Sequence, residues 1–252
     1  MKERIIRAAA SDAVTPLQRE NRELARAAAR EGIVLLKNEG ALPVKPGRIA
    51  LYGAGASRTV KGGTGSGEVN ERHAVTILEG LELAGYEIAS YGWIGDFERE
   101  CREAEKAWLA LRSAQGAGIM NSMLEPFTPP AGRAVSDEDI KGSACDTAIY
   151  VVARQAGEGA DRTPKSGDFE LSAAETESIR KIAAGYKNSV LVINSGSYLD
   201  IGTLDDEVTA VIWFCQQGME GGAALADIIS GSANPCGKLT DTWARRYADV
   251  PC

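Results

Sequence analysis

Glu158 stands between two glycines in a segment whose residue types are suited to proton transfer. The segment, Arg154–Arg162, follows the apolar run Ala148–Ala153, which predicts a buried strand. Ligands of open α/β sheets bind in crevices outside the carboxyl ends of the strands. A carboxylate flanked by glycines has little steric crowding at such a place, so we interpret Glu158 as a candidate general acid.

A structural interpretation of the same segment remains open. Most glutamates in loops are solvated, and charged neighbours could form ion pairs that only fix the loop. The charged neighbours of Glu158 are Arg154, Asp161, Arg162 and Asp168.

A second segment combines glycines with hydroxyl groups. Residues Lys61–Gly67 read Lys-Gly-Gly-Thr-Gly-Ser-Gly and follow a predicted strand at 49–53. The hydroxyls of Thr64 and Ser66, with the flexible backbone around Gly65, suit the hydroxyl groups of a sugar, and Lys61 could anchor the loop. Loops carry function disproportionately, but a plain structural turn is the alternative.

Two nucleotide-binding templates fail on these loops. Residues Gly53–Arg58 begin like a dinucleotide fingerprint, but Arg58 occupies the position of the third glycine, which close helix–strand packing requires. The Walker loop needs Gly-Lys-Ser/Thr after four spacer residues, whereas Lys61 follows Val60. Nucleotide binding is therefore a minor alternative, which protection against thermal unfolding by ATP or NAD would reveal.

Histidine and cysteine usage gives no catalytic triad or metal site. The single histidine, His73, is predicted in the first turns of a helix and is interpreted as structural, and no G-x-S-x-G elbow is present. One histidine and five cysteines without CxxC spacing leave no metal ligand set. We therefore expect neither a metal nor a cofactor.

The composition and charge of the chain argue against several classes of protein. The chain has 252 residues and a net charge of −7, which argues against a partner with a phosphate backbone. No apolar run is long enough to cross a bilayer, and the first residues lack the apolar core of a signal peptide. The odd number of cysteines suggests no disulfide framework. We expect a reducing, cytoplasmic location.

Apolar strands alternate with amphipathic helices along the chain, which predicts a three-layer α/β/α sandwich with a mostly parallel sheet of about six strands. Residues 113–134 break this periodicity and are interpreted as an insertion or flap. The predicted helices are 15–32, 71–84, 97–111, a short one after Ser136, 172–185 and 221–230. The predicted strands are 33–36, 49–53, 86–91, 148–153, 190–193 and 208–214.

Several motifs in a fixed order carry a family resemblance. They are Glu31–Pro43, Lys61–Gly67, Gly157–Arg162, Gly167–Ser172, Asn234–Leu239 and Tyr247–Pro251. With these motifs the chain resembles the second domain of glycoside hydrolase family 3 β-glucosidases, a six-stranded α/β sandwich that follows a TIM-like barrel. The resemblance runs from about residue 27 to 251, which leaves 1–26 as an N-terminal extension and the start of the first helix.

The resemblance implies roles for the two loops in a retaining hydrolase. Glu158 falls on the family's acid/base glutamate, and Ser66 falls in the loop that contacts the sugar in the −1 subsite, with Thr64 and Gly65 beside it. Lys61, Asp161 and Arg162 are expected to support these loops. Arg162 should pair with Asp161 or Asp168, because pairing with Glu158 would lower the pKa that a general acid needs.

The resemblance also implies partners for the chain. The family's nucleophile is an aspartate on the barrel, which this chain does not contain, so we expect the chain alone to be inactive. It would be an excised or split domain, or the first part of an enzyme with exchanged domain order. Substrates would be β-glucosides or short oligosaccharides. The alternative is a non-catalytic sugar-binding or assembly module on the same scaffold.

Overall fold

The computed structural model of the protein describes residues 13–64, 69, 71–114, 127–155, 162–244 and 246–250. The strands in this part are β1 (Val34–Asn38), β2 (Arg48–Tyr52), β3 (Glu87–Ile88), β4 (Thr147–Arg154), β5 (Asn188–Ser195) and β6 (Ala210–Trp213). The α-helices are α1 (Pro16–Gly32), α2 (Ile77–Leu83), α3 (Tyr91–Ala114), α4 (Asp137–Ser143), α5 (Ala173–Gly185), α6 (Leu204–Glu207) and α7 (Gly221–Ser230).

The strands form one six-stranded sheet in the order β1-β6-β5-β4-β2-β3. The pairs β2–β3, β2–β4, β4–β5 and β5–β6 are parallel, whereas β1 runs antiparallel to β6 with a register shift between Leu35 and Lys37. The predicted α/β sandwich with a mostly parallel sheet is confirmed. Because the parallel strands share a direction, the loops that follow β2, β4, β5 and β6 emerge at one edge of the sheet.

Helices cover both faces of the sheet. Helices α1, α2 and α7 pack together on one side, and α4, α5 and α6 pack in sequence on the other. The central strands are consequently buried throughout: residues 148–152 of β4 and 190–193 of β5 are no more than 1% exposed. Uninterrupted apolar strands are what a parallel sheet covered on two faces requires.

Local capping signals placed several helices correctly. The side chain of Thr15 caps α1 with Pro16 in the first position, and Ser172 and Glu175 form a capping box that opens α5. The predicted box of Ser136 and Asp139 opens α4 in the same way. Helix α7 ends at Gly231, whose φ of 79° is the left-handed conformation that favours glycine.

The prediction for α2 was wrong at its start. The helix begins at Ile77 rather than at residue 71, with Thr76 as its N-cap. The backbone of Val75, just before the helix, forms hydrogen bonds with residues far away in the sequence instead of helical ones. Its N–H donates to the Met219 carbonyl, and its carbonyl accepts from the Gly222 N–H. His73 therefore precedes the helix instead of lying in it, and its ring contacts the Glu79 carboxylate.

Two neighbouring elements also differ from prediction. Strand β3 has two residues rather than the six of 86–91, because the Ser90 hydroxyl bonds both the N–H and the carbonyl of Leu51 in place of a backbone ladder. Helix α3 runs from 91 to 114 rather than from 97 to 111. The first turns of α3 bury the side chains of Trp93 and Ile94, although the neighbouring Gly92 and Gly95 are poor helix formers. Residues 115–126 of the predicted flap lie outside the described residues.

Helices α2 and α7 approach each other at two glycines, which leads to a stability prediction. A Cβ added to Gly80 would lie 2.2 Å from the Gly222 carbonyl carbon, a distance that only a backbone shift can relieve. We expect Gly80→Ala to lower the free energy of unfolding by about 1–3 kcal/mol, as overpacking does elsewhere. Urea denaturation measures this change.

The matched control is Gly92→Ala in the first turn of α3, where nothing lies within 4 Å of the added Cβ. This variant should be neutral or slightly more stable, because alanine is the better helix former. Equal effects at the two positions would contradict the packing explanation.

Candidate functional site

A hydrogen bond joins the two segments that the sequence singled out. Gln155 is the residue that follows β4, and its Nε2 donates to the Gly62 carbonyl over 3.0 Å. The segment that leads to Glu158 therefore lies beside the glycine-rich loop that follows β2. Both segments belong to the carboxyl edge of the sheet, where α/β folds place ligands. Gln155 was not among the site residues predicted from the sequence.

Asn194 fixes the start of the glycine-rich loop. It lies fully buried near the end of β5, where its Oδ1 accepts from the Val60 N–H at 2.6 Å. Its Nδ2 donates to the carbonyls of Val60 and Cys215 at 2.8 and 2.7 Å. The Lys61 carbonyl accepts from the Gly218 N–H at 2.9 Å. The Asn194 amide thus ties the loops that follow β2 and β6 to β5, and because it lies buried it holds them firmly.

Lys61 spans the base of the same loop. Its Nζ donates to the Val69 carbonyl at 2.8 Å and forms an ion pair with the Glu71 carboxylate. The hydrogen bond from Lys61 holds the pKa of Glu71 below its usual value. These contacts are those of an anchoring residue. Thr64 lies within the described residues at a bend in the loop, whereas Gly65 and Ser66 lie outside them.

A buried ion pair fixes the segment of Glu158 on its upstream side. Arg154, the last residue of β4, donates from both terminal nitrogens to the Glu175 carboxylate at 2.7 Å each. Arg154 is 7% exposed and Glu175 is 1% exposed. The Nε of Arg154 also donates to the Asp168 carbonyl at 2.8 Å. The ion-pair partner of Arg154 is therefore Glu175 at the N-terminus of α5, not one of the aspartates considered from the sequence.

Asp168 organises the downstream side. Its carboxylate accepts from the Arg162 guanidinium at 2.8 Å and from the N–H and hydroxyl of Thr163 at 2.7 Å each. Burial acts to raise the pKa of Asp168, but the Thr163 and Arg162 contacts outweigh it, and the pKa lies below its usual value. The expected pairing of Arg162 with Asp168 is present. Glu158 and Asp161 lie outside the described residues.

Cavity size does not identify this edge. One concavity of about 670 Å³ lies along α5 between Ser166 and Ala184, and another of about 510 Å³ lies beside β1 near Trp243. Neither is lined by Lys61, Thr64 or Arg162. The site is defined instead by the loop contacts at the ends of β2, β4 and β5.

Two kinds of feature are absent from the described residues. No helix there combines the length and the apolar character that a bilayer crossing needs. Within the same residues, no cluster of three or more histidine, cysteine, aspartate or glutamate side chains is arranged to hold a metal ion.

Fold and loops together define an α/β sandwich domain with two adjoining loops at the carboxyl edge of its sheet. Residues 33–252 match the family model for the glycosyl hydrolase family 3 C-terminal domain, and the chain belongs to this family. The family resemblance is confirmed. The match begins in the residue before β1, so α1 precedes the matched region.

Full-length relatives are much longer than this chain. It is 34% identical over 259 residues to beta-glucosidase A of Butyrivibrio fibrisolvens, which covers 91% of this chain and 29% of that protein. It is 32% identical over 227 residues to a beta-glucosidase of Ruminococcus albus, with coverage of 88% and 23%. The chain thus spans less than a third of the length of these two relatives.

A solved structure shares the fold closely. The structure of beta-glucosidase 3B from Thermotoga neapolitana in complex with alpha-D-glucose is similar to this chain with a TM-score of 0.80 and 34% sequence identity. The similarity covers 94% of this chain and 33% of that chain.

Proposed function

We propose that this chain is the acid/base-bearing domain of a retaining glycoside hydrolase that releases terminal β-D-glucosyl residues. A barrel domain supplies the nucleophile. The observation that carries the proposal is the Gln155–Gly62 hydrogen bond, because it joins the residue that follows β4 to the loop that follows β2, and Glu158 and Ser66 come a few residues further along these two stretches of sequence. Family membership and the beta-glucosidase names of the relatives support the same assignment.

The proposed chemistry has two steps, and Glu158 moves a proton in each. In the first, Glu158 protonates the glycosidic oxygen as its bond to the anomeric carbon breaks, and a carboxylate of the barrel forms a bond to that carbon. In the second, Glu158 takes a proton from water, which displaces the enzyme carboxylate and returns the sugar with retained configuration. The two carboxyl groups of a retaining site lie roughly 5–5.5 Å apart.

Proton donation requires Glu158 to be protonated before the first step. Exclusion of water and a second carboxylate both raise the pKa of such a glutamate, and a docked barrel would supply both. An arginine in contact with Glu158 would act in the opposite direction. The pairing of Arg162 with Asp168 supports the proposal. Arg162 is the first arginine after Glu158 in the sequence, and its guanidinium is already paired with a carboxylate other than that of Glu158.

The glycine-rich loop is proposed to bind the sugar. The hydroxyls of Thr64 and Ser66 and the backbone of Gly65 would hydrogen-bond sugar hydroxyls in the −1 subsite. Asn194 fixes the start of the loop at Val60, and Lys61 joins that start to Val69 and Glu71 beyond the loop, so the two ends of the loop are fixed before the substrate arrives. Such preorganisation lowers the entropy lost on binding.

The test combines this chain with the barrel domain of the same enzyme. Neither part alone should cleave an aryl β-glucoside, and the mixture or the joined chain should do so. A barrel whose nucleophilic aspartate is replaced by asparagine is the matched control and should restore nothing. A complex that binds glucose in calorimetry but turns over no substrate would instead favour the non-catalytic sugar-binding module.

A further inference from the structure

Tyr247, in the C-terminal segment, contacts the segment that follows Glu158. Its hydroxyl donates to the backbone carbonyl of Arg162 over 2.7 Å, and 85 residues of chain separate the two. Its ring packs edge-on against Phe169, with centroids 5.3 Å apart and planes at 78°. Phe169 is 2% exposed. One side chain thus makes a polar and an apolar contact with the same part of the chain.

The segment that receives these contacts, residues 162–170, is a compact turn. The Lys165 N–H donates to the Thr163 carbonyl at 2.7 Å, and the Asp168 N–H donates to the Lys165 carbonyl at 3.0 Å. Asp168 closes the turn through its bonds to Thr163 and Arg162. A turn with this many internal bonds moves as a unit, so a contact at Arg162 affects its position as a whole.

An aromatic cluster attaches the C-terminal segment to the sheet, and Tyr247, which is 37% exposed, lies at the margin of this cluster. The ring of Trp243 lies 5.8 Å from that of Trp213, the last residue of β6, and 5.9 Å from that of Tyr198. Tyr198 in turn packs against Phe169 at 5.9 Å. Pairs of this geometry each stabilise by about 0.5–1.5 kcal/mol beyond the area they bury. A continuous series of ring contacts therefore leads from Tyr247 through Phe169 to Trp213 at the end of β6.

We infer that Tyr247 is a positioning residue. Through the carbonyl of Arg162, it fixes the downstream end of the segment Arg154–Arg162, which contains Glu158. The inference rests on the proposed function. Only six residues, 156–161, separate Gln155 from Arg162 in the sequence, so the reach of the chain limits how far Glu158 can lie from these two ends. The positions of the two ends therefore constrain where the Glu158 carboxyl can be held. Arg154 and Glu175 fix the upstream end, and Tyr247 fixes the downstream end.

The physical reason for an effect on rate is geometric. A catalytic group displaced by about 1 Å loses on the order of a hundredfold in rate. Loss of one hydrogen bond at the end of the loop should produce a part of that displacement. The loss should be confined to the proton-transfer function, because the nucleophile belongs to another domain in the proposed enzyme.

The test compares Tyr247→Phe with Tyr198→Phe in the protein with its full set of domains. Tyr198 is the matched control, because it also packs edge-on against Phe169 and its hydroxyl has no hydrogen-bond partner among the described residues. Tyr247→Phe should lower kcat/KM about tenfold for an alkyl β-glucoside and less than about twofold for a dinitrophenyl β-glucoside, which needs little protonation. The basic limb of its pH profile should move to lower pH as the acid becomes better hydrated. Tyr198→Phe should leave both substrates within about twofold.

Two outcomes separate this inference from the proposed function. If Glu158→Gln itself affects good and poor leaving groups equally, the acid role fails and the inference fails with it. If Glu158→Gln discriminates between leaving groups while Tyr247→Phe behaves like Tyr198→Phe, the positioning role is overturned and the acid role stands. Thermal unfolding of each variant is followed in parallel, and an equal loss for both substrates that tracks a lower folded fraction also overturns the positioning role.

Discussion

Replacement of Glu158 by glutamine is expected to lower kcat/KM for unactivated β-glucosides by about 10²–10⁴-fold, the range that a general acid contributes. Glutamine has nearly the same shape but no acidic proton, so an alkoxide would have to leave without protonation. A dinitrophenolate leaves readily as an anion, and the first step with that substrate should be nearly unaffected. The comparison between the two leaving groups is therefore the measurement that identifies the acid.

The pH dependence provides a second readout of the same variant. A general acid must carry its proton, so activity of the unmodified enzyme should fall as pH rises through the pKa of Glu158. For Glu158→Gln with the activated substrate this basic limb should disappear. Glu170→Gln is the matched control, because Glu170 is an exposed carboxylate of the turn 162–170 and its loss should change the rate less than about twofold. Equal effects of the two substitutions would remove Glu158 from the proposed mechanism.

The second large effect is expected at the buried pair of Arg154 and Glu175. Glu175→Gln keeps the size of the side chain but leaves the Arg154 guanidinium buried without its counter-charge. Loss of one partner of a buried pair costs about 3–5 kcal/mol of unfolding free energy. The capping box of α5 also loses strength, since the Glu175 carboxylate accepts the Ser172 N–H at 2.7 Å. Urea denaturation with two-state analysis measures the change.

Two comparisons identify the cause of this loss. Glu177→Gln removes an exposed carboxylate from the same helix, which pairs with Lys181 at the surface, and should cost less than about 1 kcal/mol. The double variant Arg154→Met with Glu175→Leu removes both charges and should recover much of the stability, because the desolvation penalty is removed as well. A double variant less stable than Glu175→Gln would show that the charges themselves stabilise the fold.

Short-range signals account for the parts of the fold that were predictable from the amino-acid sequence. The capping box of Ser172 and Glu175 and the glycine at 231 act within a few residues of the helix end they mark. The start of α2 was predicted too early because Val75 bonds to Met219 and Gly222, which are far away in the sequence. No local pattern encodes such contacts.

The same distinction between local signals and contacts far apart in the sequence applies to the candidate site. The glycine-flanked Glu158 and the hydroxyl-bearing loop were visible as residue types and spacings. The residues that bring the two loops together were not, because Gln155 acts on Gly62 across 93 residues and Asn194 acts on Val60 across 134. A polar residue at the carboxyl end of an apolar strand is the signal that both share. That signal would have found them as supports of the carboxyl edge.

Strand β1 ends the sheet with an irregular edge, and this has a consequence for the behaviour of the protein in solution. A regular edge strand exposes a row of backbone donors and acceptors that can recruit a strand from another molecule. The register shift between Leu35 and Lys37 interrupts that row, and the Lys37 ammonium is held at the same place by the Asp205 carbonyl at 2.7 Å. Both features are known to discourage such recruitment. We therefore expect this edge to discourage fibrous self-association of the domain at high concentration.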